Sequence, residues 1–179
     1  MLAVFAALTL ASTGLSAQGL GAFSGANATA SVNAIDNSVT PRFVLPTIHE
    51  RLYANLASYM TVAAALGSDT LHSWQSENRK AAFTCQAIRD GSIILVSEVT
   101  KAIVKRVRPA GATASGYSFP SEHTALAASS IGGISAGISI PLTIGTAAGR
   151  ISSGNHYLTD TIFGGLLGGT ISHYTRFCK

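Results

Sequence analysis

The stretch FTCQAIRDGSIILVSEVTKAIVKRV, residues 83–107, sets the fold class. Within it Cys85, Ile88, Ser92, Leu95, Val99 and Ala102 recur at steps of three and four, the period of one helix face. That stripe is expected to be the buried one. Arg89, Asp90 and Glu98 break the apolar run. A bilayer span wants about 20 mostly apolar residues, so the segment reads as a packed helix rather than a membrane span. Pro109 is expected to end it by restricting Arg108.

The same reading extends outward. Helices are expected over 47–66, with a stop at Gly67-Ser68-Asp69, and over 71–82. Residues 110–119 (AGATASGYSF) form a Gly/Ser loop. Further helices follow over 121–138, over 141–150 with Pro141 in the first turn, and over 157–176. The last carries Gly164, Gly165, Gly168 and Gly169 at small-xxx-small spacing, which lets helices approach closely. No period-two strand pattern persists and no repeat is visible. The fold class is therefore all-α: a compact bundle of about five to six helices, with its candidate site at helix ends.

Residues 1–17 read as a signal peptide, or else a first membrane helix. Their apolar core LAVFAALTL precedes a small-residue site at 15–17, although no Lys or Arg occurs before Arg42. Residues 18–45 are small, polar and aperiodic, and read as a linker. Residues 46–179 form the folded domain.

Composition narrows the classes. Apolar residues make up 47% and charged residues 11%, against about 25% charged in ordinary globular chains. The chain is thus exported, membrane-associated or unusually well buried. From residue 99 onward seven cations (Lys101, Lys105, Arg106, Arg108, Arg150, Arg176, Lys179) face only Glu122 and Asp160. Cations in apolar surroundings suggest an anion site. Nucleic acid is excluded as a partner, because no Lys/Arg tract is interleaved with aromatics. Cys85 and Cys178 fit one long-range disulfide or two buried thiols, and their spacing matches no zinc pattern.

Three clusters carry chemistry. Lys101 and Arg108, seven residues apart, would point the same way on one helix. Phe119-Pro120-Ser121-Glu122-His123 lies at a loop-to-helix junction, with Ser121 as N-cap and free backbone N–H groups behind it. Arg150, His156 and Asp160 form the third. His156 and Asp160 are i,i+4, so an aspartate can orient one imidazole nitrogen and leave the other nucleophilic. Each alone has an ordinary reading: solvated cations, a capped helix, a surface pair. Together they suit one ligand, a tetrahedral oxyanion such as phosphate.

KAIVKRVRP, PSEH and GRISSGNHYLTD resemble, in order and spacing, the three motifs of the type 2 phosphatidic acid phosphatase superfamily, which includes bacterial acid phosphatases and vanadium haloperoxidases. The resemblance implies a phosphatase acting on phosphate monoesters, lipid phosphates and diphosphates among the substrates, through a phosphohistidine. It implies that Lys101, Arg108, Arg150, Ser121 and the backbone N–H of Glu122 bind phosphate. His156 would be the nucleophile, His123 the general acid and Asp160 the partner of His156. No metal or cofactor is implied. The expected location is periplasmic or secreted, with an integral membrane enzyme as the alternative.

Two positions depart from the family pattern. Gly149 stands where Ser is usual, and Glu122 where Gly is usual. A carboxylate beside phosphate would repel it unless it turns away, pairs with a cation such as Lys105, or is protonated. A vanadate-dependent haloperoxidase, or an anion-binding module impaired by Glu122, are the alternative readings.

Overall fold

The structure is a computed structural model that describes residues 25–175. The expected signal peptide lies outside the described residues. Helix α1 covers Gly25–Phe43, α2 Ile48–Gln75, α3 Arg79–Val104, α4 Glu122–Ser129, α5 Ala136–Ser152 and α6 Leu158–Thr175; a single 3-10 turn, Ser130–Gly132, follows α4. Among the described residues there is no strand, so the all-α expectation holds.

Helix α2 starts where Pro46-Thr47 predicts. Thr47 and Glu50 form a reciprocal capping box, with Glu50 N donating to Thr47 Oγ1 at 3.2 Å and Thr47 N to Glu50 Oε2 at 3.1 Å, which satisfies two free donors of the first turn. The helix then runs through Gly67, where a stop was expected. Gly67 is exposed and Asp69, just after it, is buried against Arg89 of α3. That tertiary ion pair overrides the local weakness of glycine, whose cost in a helix is only about 1 kcal/mol. The break comes instead at 76–78, where Asn78 caps α3 by accepting from Ala81 N at 3.2 Å. Ser73 Oγ donates to Gln86 Oε1 at 3.0 Å, so α2 and α3 pair as an antiparallel hairpin.

Helix α3 ends five residues before Pro109, at Val104, with Lys105 in the left-handed conformation at φ 50°. Residues 105–108 are therefore not helical, and the shared helical face expected for Lys101 and Arg108 does not exist. The expected helix over 121–138 is also interrupted: α4 gives way to the 3-10 turn, and α5 begins at Ala136 with Pro141 inside it.

The linker expected over 18–45 is largely helix α1. It lacks apolar periodicity because it docks through polar groups. Asp36 and Thr40 are buried, and they accept from the backbone N–H groups of Thr159 and Leu158 at 3.1 and 3.2 Å. They thereby satisfy donors at the start of α6 that have no intrahelical partner.

Short α4 lies at the centre, packed most heavily on α6, while α2 packs most heavily on α5. The glycines of α6 explain the first contact. A Cβ at Gly164 would stand 2.3 Å from Ser121 O and one at Gly168 2.0 Å from Ala125 O, whereas Gly165 and Gly169 meet nothing within 4 Å.

The interior is polar. Among the described residues, the only buried apolar side chains larger than alanine are Val62, Ile93 and Ile151, beside many buried Ser, Thr, Asp and Arg. The inward face of α3 is Arg89, Ile93, Ser97 and Thr100. Of the expected buried stripe, Ile88, Leu95 and Val99 are exposed instead. Leu52, Leu56 and Met60 of α2, Ile140 and Ile144 of α5 and Ile162, Phe163 and Leu166 of α6 also face outward. Cys85 is disulfide-bonded; Cys178, the other cysteine of the chain, lies outside the described residues.

Candidate active site

The turn between α5 and α6 builds the centre. Gly154 takes φ +70°, a conformation open to glycine at little cost. The chain there doubles back, so that Asn155 N and His156 N both donate to Arg150 O, at 3.1 and 3.2 Å. Arg150 and His156 thus share one turn and are fully buried together.

His156 lies two residues before α6 rather than on it. Its Nδ1 sits 2.7 Å from the carbonyl oxygen of Ser118. A carbonyl can only accept, so Nδ1 carries the hydrogen and Nε2 presents a lone pair. Asp160 was the expected orienting partner. Its Oδ2 stands 3.6 Å from Nδ1, an ion-pair separation rather than a hydrogen bond. Instead Oδ2 accepts from Tyr157 N at 2.9 Å and Oδ1 from Arg106 Nη1 at 2.6 Å.

Two guanidiniums meet at Nε2, Arg108 Nη1 at 3.2 Å and Arg150 Nη2 at 3.3 Å. Arg108 is fixed by the carbonyls of Asn155 and Ser115, at 2.7 and 3.1 Å. Arg150 is anchored on Asn55 of α2 and lies over the Tyr59 ring. Its Nε is buried with no hydrogen-bond partner. A buried unpaired donor is rare and costly.

Burial pushes His156 down to about 4, helped by Arg150 and Arg108 and opposed by Asp160. His123, second residue of α4, is pushed down to about 3, first by burial and then by Arg150, His156, Lys101 and Arg108. Its ring packs edge-on to Tyr59, with centroids 4.8 Å apart. Ser121 is the N-cap by position, but its hydroxyl pairs with Thr124 Oγ1 at 2.9 Å rather than capping.

Lys101 joins from α3 and is tied to two carboxylates, Glu98 at 2.6 Å and Glu122 at 3.0 Å. The cation partner of Glu122 is therefore Lys101, not Lys105. The departure at Gly149 has a packing cause: a Cβ there would stand 2.7 Å from Ala54 O and 2.8 Å from Ser58 Cβ of α2.

The chain matches a solved structure described as the first transmembrane PAP2 type phosphatidylglycerolphosphate phosphatase from Bacillus subtilis. The TM-score is 0.66 at 16% identity, over 98% of this chain and 94% of that one. The two chains share one fold. No family model and no curated protein matches the sequence.

The structure brings Arg108, Arg150 and Asp160 to His156 and ties Lys101 to Glu122; Ser121 N donates to Asp160 O at 3.0 Å, and His123 and Arg150 both lie against the Tyr59 ring. Sequence reasoning missed Ser118, Asn155, Asn55, Arg106 and Asp36. Asn155 is fully buried; its Oδ1 accepts from Thr113 N and Ala114 N at 2.9 and 2.8 Å, pinning the Gly/Ser loop. Its position beside His156 was the available signal. Asp36 and Asn55 carried none, since the residues they serve lie about a hundred positions away.

Proposed function

We propose that this protein is a phosphatase that removes phosphate from monoesters, lipid phosphates foremost, through a covalent phosphohistidine on His156. The observation that carries it is the hydrogen bond from Nδ1 to Ser118, which leaves the Nε2 lone pair aimed between two guanidiniums. A phosphoryl oxygen at that point would satisfy the unpaired Nε of Arg150.

The chemistry follows from the placement. Arg108, Arg150 and Lys101 hold the non-bridging oxygens, with Ser121 and the N–H of Glu122 at the helix start. Nε2 attacks phosphorus as the ester P–O bond breaks, and the leaving oxygen takes a proton that the substrate monoanion brings in and His123 passes on. Water then attacks phosphorus, giving its proton to His123. The P–N bond breaks, its electron pair returns to Nε2, and inorganic phosphate leaves. The fixed cations supply the electrostatic stabilisation, so the reaction is taken to need no metal.

We infer also that the bundle sits in lipid. No helix among the described residues is long and apolar enough to cross a membrane by mean hydropathy. That average counts the inward-facing Asp, Arg, Ser and Thr. The outward surface is apolar on α2, α3, α5 and α6, and such broad exposed surfaces mark contact with lipid or protein. The Bacillus subtilis protein of the same fold is described as transmembrane. This favours an integral membrane enzyme over an exported soluble one.

The test is phosphate release from phosphatidic acid vesicles with EDTA present. Wild type should be active and His156→Ala should lose at least about a thousandfold, as nucleophile deletions do. Equal activity of the two would refute the reading.

A further inference from the structure

Behind Asp160 lies a second layer of charge that the mechanism above does not use. Arg106 sits on the non-helical segment after α3. Its Nη1 donates to Asp160 Oδ1 at 2.6 Å and to Thr159 Oγ1 at 2.8 Å. Its Nη2 donates to Asp36 of α1. Its guanidinium lies 4.1 Å from the centroid of the Tyr157 ring. Asp36 and Asp160 are both fully buried. The result is a line of alternating charge, Asp36, Arg106, Asp160, ending at the back of the His156 ring.

An uncompensated buried carboxylate 3.6 Å from Nδ1 would favour the imidazolium. Imidazolium has no lone pair at Nε2 and cannot attack phosphorus. Arg106 offsets that pull. Asp36 divides the charge of Arg106 between two carboxylates and so limits the offset. Burial alone would lower Arg106, but Asp36 and Asp160 outweigh it and hold it above its ordinary value, so its charge is permanent.

We propose that Arg106 and Asp36 are positioning residues that set how much of the Asp160 charge reaches His156, which makes helix α1 part of the active site rather than packing alone. The inference rests on the phosphohistidine reading. The other charged groups facing His156 are Arg108 and Arg150 at Nε2, and His123 across the pocket. None of them touches the Asp36–Arg106 pair, so they form a constant background in the variants below.

The test is the acid limb of the kcat/KM–pH profile, which reports ionisation in the free enzyme. Arg106→Gln leaves Asp160 less compensated, so the limb should move to higher pH, by about half a unit to one unit. Asp36→Asn frees Arg106 to compensate Asp160 more fully, so the limb should move to lower pH. The double variant removes one charge of each sign and should return toward wild type. A brace with no electrostatic role would lower kcat without moving the limbs in opposite senses. Limbs that stay fixed, or that move the same way, overturn the inference while the phosphatase reading stands. A wild type that releases no phosphate overturns the reading and the inference together. Should Arg106→Gln fail to fold, the near-isosteric Asp36→Asn decides alone: an unmoved or raised limb overturns the proposal.

Discussion

At the scale of single residues, the proposed mechanism makes the two histidines set the pH dependence. His156 must be neutral to attack, and its value of about 4 means that lone pairs are lost, and activity with them, as pH falls through that region. His123, pushed down to about 3, carries no proton at neutral pH in the free enzyme. The proton for the leaving oxygen must then arrive with the substrate. A phosphate monoester monoanion carries one and loses it with a pKa of about 6. The predicted kcat/KM profile is therefore a bell on the acid side, rising near pH 4 and falling above about 6. A profile that stays level to pH 8 would show that the leaving-group proton comes by another route. The ion pair of Lys101 with Glu122, at 3.0 Å, makes a second prediction. Glu122→Gly should release Lys101 toward phosphate and raise kcat/KM at neutral pH by roughly a few-fold to tenfold, the range of about 1 kcal/mol for a partly exposed pair. A steady-state assay that finds no gain would make Glu122 a bystander.

At the scale of elements, packing on α4 depends on two glycines of α6. Gly168→Ala would place a methyl 2.0 Å from Ala125 O, against backbone that cannot yield. It should destabilise by roughly 1–3 kcal/mol. Gly165→Ala, with nothing within 4 Å, should be neutral or stabilise by up to about 1 kcal/mol through helix propensity. Thermal unfolding in detergent separates the two; equal Tm values would show that the close approach is not needed. The sequence showed the small-residue spacing but not which glycine of each pair carries the contact, since that depends on how α6 is rotated. Helix existence was legible for α3 from its three-and-four period and for α6 from its small-residue spacing, because both signals are local. Helix α1 was not legible, because Asp36 and Thr40 dock it through hydrogen bonds and leave no apolar stripe. That Arg108, Arg150 and Asp160 should meet at His156 was legible from the motif spacing and the resemblance together. The hydrogen-bond acceptor of His156 was not, since nothing local marks the carbonyl of Ser118 as its partner.

At the scale of the whole molecule, the distribution of polarity is inverted. Periodicity identifies two unlike faces of α3, but not which face meets the interior. Water as the assumed solvent put Ile88, Leu95 and Val99 inside; the fold puts Arg89, Ser97 and Thr100 there. The proposed hydrocarbon surround would make that arrangement favourable, because polar groups would then gain by pairing inside the bundle. The expected behaviour is retention in membranes washed with alkaline carbonate and release by detergent; recovery of the chain in the carbonate wash would contradict a lipid setting. Within that bundle buried polar groups meet at His156, and everything proposed for them turns on its Nε2. An activated aryl phosphate needs no proton on its leaving group, so His123→Ala should still be phosphorylated by it while losing the base that helps water hydrolyse the intermediate. Acid-labile phosphate should therefore accumulate on His156 in that variant and be absent in His123→Ala/His156→Ala. Label on another residue, or no label in either protein, would contradict nucleophilic attack by His156.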